Sequence, residues 1–226
     1  MRVSNIYSCL SGEGLSVGVP MVLLRLQGCS LRCHWCDTPE AQDKSEGIEV
    51  SVKRIIDEIL IVNPNTQWLL VTGGEPLLQS GELQKLLSLL PNRYKVEVET
   101  SGFYPVPAWA HYVDAWVTDY KCPSSGQESK AIDSWIRFGR NCDSIKFVVG
   151  TEEDLEFVLK NKPETEATIL VSPMIWDIKE TNMGEVIIGK EQIQWIRRVA
   201  QFCQKNGLRL SLQNHKLIFG QERRDV

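Results

Sequence analysis

The sequence predicts an α/β fold in which parallel strands alternate with helices, as in a (β/α) barrel or an open parallel sheet. Two observations support this class. Short β-rich runs alternate with stretches of helical period, and residues able to carry chemistry follow several of these runs directly. With 226 residues, 42% of them hydrophobic, the chain can bury one full-sized core, so we predict a single domain over residues 1–226.

Seven β-rich runs are the predicted strands, because each joins apolar, mostly β-branched residues over a few positions. They occupy residues 21–26, 68–72, 95–99, 115–118, 144–149, 167–171 and 208–212. Between the first two, apolar residues recur at i, i+3, i+4, i+7 and i+8 behind a capping Ser51, which predicts a helix. Further helices are predicted over 82–90, 152–159 and 190–206, the last ending at Gly207 in a left-handed cap. The polar stretch 123–139 is predicted to be a loop.

Composition excludes several classes of function. A net charge of -4 gives no indication of a nucleic-acid-binding surface. Residues 1–14 lack the basic start and apolar run of a secretory signal, and no apolar run is long enough to span a membrane, so we expect a cytoplasmic protein. Seven cysteines, an odd number, favour a reducing compartment. We expect the isolated Cys9, Cys142 and Cys203 to be buried as small hydrophobic residues.

Distinctive motifs follow five of the predicted strands. They are GCSLRCHWCDT after the first strand, GGEP after the second, TSG after the third, DYKCP after the fourth and SPM after the sixth. The carboxyl ends of parallel strands lie on one side of a barrel or sheet. The sequence therefore predicts that these five loops converge on a single site.

Three of the cysteines fall in one short loop with the spacing Cys29-x3-Cys33-x2-Cys36. A structural zinc site normally has four protein ligands, and a cuboidal iron–sulfur cluster also prefers four thiolates. Three thiolates would leave one iron of such a cluster free to bind another ligand. A zinc site completed by Cys122 or His34 is the alternative.

The cysteine spacing together with Gly-Gly-Glu-Pro at residues 73–76 resembles the radical S-adenosylmethionine superfamily. Glycines after a strand let backbone approach a ligand closely, although a tight turn explains the motif equally well when it is read alone. The resemblance implies a [4Fe-4S] cluster on the three cysteines, with the amino and carboxylate groups of S-adenosylmethionine on the fourth iron. It implies cofactor contacts at Gly74 and Glu75, near the methionyl ammonium, and at Trp35, Cys36 and Asp37, along the adenosine.

A narrower resemblance runs nearly end to end. The motifs SGEG at 11–14, RLQGC at 25–29, CDT at 36–38 and HKLIFG at 215–220 resemble the 7-carboxy-7-deazaguanine synthase family of the queuosine pathway, although members more often have Gln where this chain has Ser11. The resemblance implies a partial (β/α) barrel, a homodimer and a lyase. In its reaction a 5′-deoxyadenosyl radical takes hydrogen from C6 of 6-carboxy-5,6,7,8-tetrahydropterin, after which the ring contracts and ammonia leaves.

The residue types suit such a substrate. Arg25, charged inside an apolar strand, is a planar bidentate partner for a carboxylate, with a buried ion pair as the alternative. Glu13 can accept hydrogen bonds from pterin amino and ring N–H groups, or be a solvated carboxylate. The resemblance implies that the Thr38 hydroxyl binds a Mg²⁺ that bridges protein and substrate. The other expected substrate contacts are Ser11, Gly12, Thr72 and His215.

Polar residues at later strand exits complete the expected cofactor site. They are Ser101, Asp119, Tyr120, Lys121 and Ser172, and a capped turn or a surface ion pair is the structural alternative for them. A flavodoxin or ferredoxin is the expected electron donor. A glycyl-radical activating enzyme shares the cysteine spacing but would need a protein-docking surface and no carboxylate clamp. A non-catalytic zinc-binding interaction module is the alternative from another functional class.

Overall fold

A nine-stranded sheet organises the chain in this computed structural model, which describes residues 1–181 and 185–220. The strands are β1 (Arg2–Leu10), β2 (Pro20–Leu26), β3 (Ile48–Glu49), β4 (Trp68–Gly73), β5 (Lys95–Thr100), β6 (Ala115–Asp119), β7 (Ser144–Val149), β8 (Thr168–Pro173), β9 (Ile178–Glu180), β10 (Val186–Ile188) and β11 (Arg209–Leu210). The sheet order is β11-β8-β7-β6-β5-β4-β2-β1-β3, and β9 and β10 form a separate antiparallel pair. In the large sheet, each strand from β2 across to β11 is parallel to its neighbours on that side. Strand β1 is antiparallel to both β2 and β3. The predicted α/β class with a partial barrel of parallel strands is confirmed.

Helices connect most of the parallel strands. They are α1 (Val52–Val62), α2 (Ser80–Leu89), α3 (Ile132–Phe138), α4 (Glu152–Asn161), α5 (Lys190–Asn206) and α6 (Asn214–Phe219). The predicted caps are present: the Ser51 hydroxyl accepts a hydrogen bond from Arg54 N–H, and Gly207 ends α5 with a φ of 62°. All four predicted helices form, as α1, α2, α4 and α5, so these predictions are confirmed.

Successive side chains along the strands point to opposite faces of the sheet, so one face forms the core and the other is free for a site. Leu24, Val71 and Val98 are in register on neighbouring strands and bury their side chains in the main core. The next residues, Arg25 and Thr72, are also in register and point to the opposite face, because successive side chains alternate across a sheet. The helices pack on the first face. The second face carries polar residues, which is unusual for parallel strands and marks it as the functional side.

Three predictions about local structure are wrong. The stretch 123–139 contains α3, whose Ile132 and Trp135 are buried, and the Trp135 indole N–H donates to Tyr104 O at 2.8 Å. The Trp116 ring packs beside Trp135, and this tertiary contact is not visible in a mostly polar sequence. Cys142 is exposed rather than buried, whereas Cys9 and Cys203 are buried as expected. The last strand, β11, contains only two residues of the predicted range.

Strand β1 was missed because its sequence does not alternate cleanly. The register of β1 on β2 shifts between Val3 and Asn5, so a bulge interrupts the two-residue period that would reveal a strand. Among residues 1–181 and 185–220, no helix is long and apolar enough to cross a membrane. The predicted single domain also includes 182–184 and 221–226, which lie outside the described residues, so that boundary stays a prediction.

Candidate active site

A cavity of about 370 Å³ lies at the carboxyl ends of the parallel strands. All five motif-bearing loops contribute to its wall, through Cys29, Gly74, Ser101, Asp119 and Met174. The predicted convergence of these loops is therefore confirmed. The predicted site residues that line the cavity are Gly12, Glu13, Arg25, Cys29, Cys33, Trp35, Cys36, Asp37, Thr38, Thr72, Gly74, Ser101, Asp119, Lys121 and His215.

Four predicted site residues are not part of the cavity wall, and Ser11, Tyr120 and Ser172 are three of them. The buried Ser11 hydroxyl donates to Glu13 O at 3.1 Å, so it supports the neighbouring loop, and its expected contact with substrate stays a prediction. Tyr120 packs its ring among core aromatic residues on the helical face of the sheet. Ser172 is fully buried and in register with Val148, which does line the cavity, so its hydroxyl lies on the correct face but beneath the wall.

Glu75 is the fourth, and its carboxylate serves the protein itself. Its Oε1 accepts hydrogen bonds from Leu77 N–H at 3.0 Å and Thr100 Oγ1 at 2.9 Å, and its Oε2 accepts from the Ser101 N–H and hydroxyl. The carboxylate of Glu75 therefore has four protein donors, and its expected contact with the methionyl ammonium stays a prediction. Its side chain ties the glycine motif to the end of β5, because a buried carboxylate requires such partners.

Gly74, which belongs to the same motif and lines the cavity, must lack a side chain because backbone carbonyl groups approach it closely. A Cβ on Gly74 would lie 2.4 Å from Ala41 O and 2.5 Å from Gly28 O, both in the loop that carries the cysteines. Gly74 N–H donates to Leu26 O, and Glu75 N–H donates to Gly28 O. The motif thus holds the cysteine loop against β4, and the backbone of Gly74 stays accessible from the cavity.

The three clustered thiols share the cavity. Cys29 is buried and accepts a hydrogen bond from Leu31 N–H at 3.3 Å, while Cys33 and Cys36 are half-buried. Burial raises the pKa of Cys33, the nearby Lys121 ammonium lowers it, and the thiolates of Cys36 and Cys29 raise it further. All three thiols line the same cavity, and a bound cation would favour their ionised forms.

Neither alternative zinc ligand lies with these thiols. Cys122 is fully buried and its thiol points to Tyr120 O, while His34 is exposed and packs against Gly126. In the described part of the chain, no three His, Cys, Asp or Glu side chains are grouped tightly enough to hold one metal ion. A cluster binds each thiolate at a different iron, whereas a single zinc ion draws all its ligands to one point. Cys29, Cys33 and Cys36 line the cavity, and they are the three protein ligands that a cluster of this kind would use.

Arg25 lies on the cavity face of β2 with neutral partners. Its Nη1 donates to Thr38 Oγ1 at 3.2 Å and its Nη2 to Tyr7 Oη at 3.3 Å. Burial would lower the pKa of Arg25, but Tyr7 and the carboxylates of Asp37 and Glu99 outweigh burial and raise it. Within residues 1–181 and 185–220, Arg25 forms no ion pair with Asp or Glu, in contrast to the structural alternative considered from the sequence.

Glu13 has a cationic partner that the sequence analysis did not single out. Lys146 on β7 places its Nζ 2.9 Å from Glu13 Oε1, and both side chains are almost fully buried. Burial would raise the pKa of Glu13, but Lys146 and His215 lower it overall. Lys146 interrupts the apolar run SIKFVV, and a charge inside a predicted buried strand is the signal that could have identified it.

Two further acids of β5 share this face. Glu99 Oε2 accepts a hydrogen bond from Thr72 Oγ1 at 3.0 Å, and Glu97 Oε2 accepts one from Ser16 Oγ at 2.5 Å. Burial raises the pKa of each to about 7, and the charge of Glu13 adds to the effect. Their alternating positions in KVEVET were a readable signal, since both must point to the face opposite the core.

The short C-terminal helix α6 closes one side of the cavity. Lys216 lies 3.0 Å from Asp37 Oδ2, which joins α6 to the residue after Cys36. Burial would raise the pKa of Asp37, but Lys216 outweighs it and lowers that pKa strongly. His215 packs directly on Gly12, where a Cβ would lie 1.8 Å from the imidazole Nδ1. The sequence indicated His215 and Gly12 separately, and the fold brings them into contact.

Asp119 and Lys121 form an ion pair at the opposite wall. Their Oδ2 and Nζ atoms are 2.6 Å apart, and the ammonium lies 5.9 Å from the centre of the Trp35 ring. The pair lines the cavity and is largely buried, so it is not a surface ion pair. It connects the β6 exit to the cysteine loop.

Comparison with known proteins identifies the family. The Radical SAM superfamily matches residues 23–118. A 7-carboxy-7-deazaguanine synthase of Methanospirillum hungatei is 34% identical over 224 residues, covering 96% of this chain and 85% of that protein. This chain belongs to the 7-carboxy-7-deazaguanine synthase family. A second member, from Leptospira interrogans, is 33% identical and covers 98% of this chain and 96% of its own length.

A solved structure agrees with the fold of the family. The crystal structure of QueE from Escherichia coli superposes with a TM-score of 0.67 at 24% identity, covering 95% of this chain and 94% of that one. As a family member the protein is an enzyme of the radical SAM superfamily, which implies a [4Fe-4S] cluster and S-adenosylmethionine. The cavity with its three thiols is consistent with both groups.

Proposed function

We propose that this protein contracts the ring of 6-carboxy-5,6,7,8-tetrahydropterin to 7-carboxy-7-deazaguanine with loss of ammonia, acting as a carbon–nitrogen lyase. One observation carries the proposal beyond family membership. The Arg25 guanidinium, without an acidic partner among the described residues, and a Glu13 carboxylate face the same cavity as the three cysteine thiols. A cation for a carboxylate and an anion for N–H donors are what this substrate requires.

The cysteine side of the cavity is the proposed cofactor site. Cys29, Cys33 and Cys36 would hold the cluster, and the backbone of Gly74 would face the amino-acid part of S-adenosylmethionine. When bound, these two groups supply the radical chemistry that activates an unreactive C–H bond. The remaining wall residues proposed to contact the cofactor are Trp35, Asp37, Ser101, Asp119 and Lys121.

The opposite side is the proposed substrate site. Arg25 donates hydrogen bonds to Thr38 and Tyr7, and its remaining N–H groups can donate to the substrate carboxylate. Glu13 Oε2 has no protein partner in the described structure and would accept from the amino and ring N–H groups. Thr72 and His215 complete this wall, together with the backbone of Gly12. These contacts fix the ring relative to the cofactor, which is the main contribution a protein makes to radical chemistry.

Thr38 is the proposed protein ligand of a Mg²⁺ ion. Its hydroxyl donates to Asp37 Oδ1 at 3.1 Å and accepts from Arg25, which leaves one lone pair for a metal. A divalent cation beside a guanidinium would be repelled unless an anion lies between them. The substrate carboxylate, shared between Arg25 and Mg²⁺, would provide that anion and suits the oxygen-rich coordination that Mg²⁺ prefers.

The expected partners and location rest on the family resemblance. We propose a flavodoxin or ferredoxin as electron donor, a homodimer and a cytoplasmic location, which the family resemblance supports. The odd number of cysteines in a chain of this size also supports a reducing compartment.

The decisive experiment is anaerobic incubation of reconstituted protein with S-adenosylmethionine, reductant, Mg²⁺ and the carboxylated tetrahydropterin, followed by mass analysis. We expect 7-carboxy-7-deazaguanine, ammonia and 5′-deoxyadenosine to form together. Cys33→Ala is the matched control, since it should bind less iron and form none of the three. Cleavage of S-adenosylmethionine at the same rate with and without the pterin, and no deazapurine, would contradict the proposal.

A further inference from the structure

A buried group of charges surrounds Lys146 beneath the substrate side of the cavity. Glu13 pairs with the Lys146 ammonium directly, at 2.9 Å. Three more carboxyl groups act on the same ammonium or feel its charge: Glu97 and Glu99 from β5, and Asp119 from β6. A lysine with 8% of its side chain exposed among four acids is costly unless the charges are paired with care.

The pairing distinguishes Glu13 from the other acids. Asp119 already has Lys121 as a partner at 2.6 Å, and Glu97 and Glu99 accept hydrogen bonds from hydroxyl groups instead of cations. Glu13 is the one of the four that Lys146 pairs with in the described structure. The pKa values follow this geometry, because that of Glu13 is lowered while those of Glu97 and Glu99 rise to about 7.

The pairing also decides which oxygen of Glu13 is available. Lys146 is held in place by β7, where its backbone is in register with Asp119 on one side and Leu170 on the other. The Lys146 ammonium forms an ion pair with Glu13 Oε1, and the buried Oε2 has no hydrogen-bond partner among the described residues. Glu97 Oε1 and Asp119 Oδ1 in the same group are also buried without a hydrogen-bond partner in the described structure; for Glu13, which lines the substrate side of the cavity, a ligand donor is one way to satisfy the oxygen.

We propose that Lys146 is a positioning residue for substrate recognition: it fixes the Glu13 carboxylate through Oε1, so that Oε2 accepts hydrogen bonds from the amino and ring N–H groups of the bound pterin. The inference rests on the proposed function and deepens it, because it assigns specificity to a residue on a distant strand. Lys146 acts through Glu13 and does not itself bind the ring.

The positioning role of Lys146 can be tested without turnover by the binding of 6-carboxypterin. This aromatic analogue cannot react by hydrogen loss at C6. Its affinity would be measured by fluorescence in wild type, Lys146→Met, Glu13→Gln and the double variant. Lys146→Met should weaken binding about 10-fold to 100-fold, the loss of one charge-assisted hydrogen bond. In the Glu13→Gln background the same change should have almost no further effect, because Lys146 acts through the carboxylate that is already gone.

Two controls separate positioning from stability. Glu97→Gln changes the charge of the same buried group at a residue outside the cavity wall, and should leave affinity within about 2-fold of wild type. Lys146→Arg restores the cation and should recover part of the affinity. The double variant removes both charges of the pair, so it should keep the fold even where Lys146→Met loses thermal stability through an unpaired buried carboxylate.

The binding results distinguish a failure of this inference from a failure of the proposed function. An equal loss of affinity on removing Lys146 in both backgrounds would overturn the inference, because Lys146 would then contact the ligand or stabilise the cavity independently of Glu13. Wild-type affinity in Lys146→Met would overturn it as well. A wild-type protein that neither binds 6-carboxypterin nor converts the tetrahydropterin would instead contradict the proposed function, a failure visible before any variant is made.

Discussion

Replacing Arg25 by Ala should abolish efficient use of the carboxylated substrate. In the structure the guanidinium hydrogen-bonds to two neutral hydroxyl groups, on Thr38 and Tyr7, so its charge is available to a ligand. Losing a charge-assisted bidentate contact at such a site costs about 2–5 kcal/mol. That corresponds to a fall of roughly 30-fold to several thousand-fold in kcat/KM. Arg25→Lys should recover only part of this, because an ammonium cannot reproduce the planar fork.

The assay compares three quantities in wild type and variants: kcat/KM for deazapurine formation, cleavage of S-adenosylmethionine without substrate, and iron content. The last two should change little in Arg25→Ala, because Arg25 lies on β2 before the cysteine loop. Tyr7→Phe is the matched control. It removes a neutral hydrogen bond to the guanidinium but keeps the charge, and should cost only about 0.5–1.5 kcal/mol.

A purely structural arginine would give the opposite pattern. Arg25→Ala would then lower the thermal midpoint and the iron content together, and kcat/KM would fall no further than in Tyr7→Phe. Near wild-type turnover of the carboxylated tetrahydropterin by Arg25→Ala would refute the carboxylate clamp.

Three further predictions concern the cysteines, the metal and the buried acids. Cys33→Ala should lose most bound iron, whereas Cys122→Ala should retain it, because the Cys122 thiol lies outside the cavity; equal iron loss, measured by iron assay and absorbance, would indicate four protein ligands. Thr38→Ala should require more Mg²⁺ for half-maximal rate at unchanged iron content, and an identical Mg²⁺ titration would exclude Thr38 as a ligand. The raised pKa of Glu97, about 7, means that the folded protein binds a proton more tightly than the unfolded chain, so this group contributes stability below about pH 4.5 that is lost as the pH rises to 7. Glu97→Gln should therefore reduce the fall in thermal midpoint between pH 5 and pH 8, and an unchanged pH profile would show that Glu97 ionises normally.

The sequence determined the plan of this protein and the identity of its central chemistry. Runs of β-rich residues predicted most of the parallel strands, and helical periods predicted α1, α2, α4 and α5, because burying one face of a helix requires that period. The rule that parallel strands share a carboxyl end then predicted the convergence of the five loops, and the cavity confirmed it. The cysteine spacing is equally local, since three ligands within eight positions remain together in any fold of that loop.

Tertiary structure alone decided which charges meet. Lys146 and Glu13 are far apart in the chain, and so are Lys216 and Asp37, so each pairing depends on strand order and on where α6 returns. The inward turn of Glu75 depends likewise on donors at the end of β5. Periodicity records which face a side chain occupies but not the distant partner across that face. A buried ion pair forms where the folded chain excludes water around both groups, and that exclusion is a property of the assembled sheet rather than of any segment.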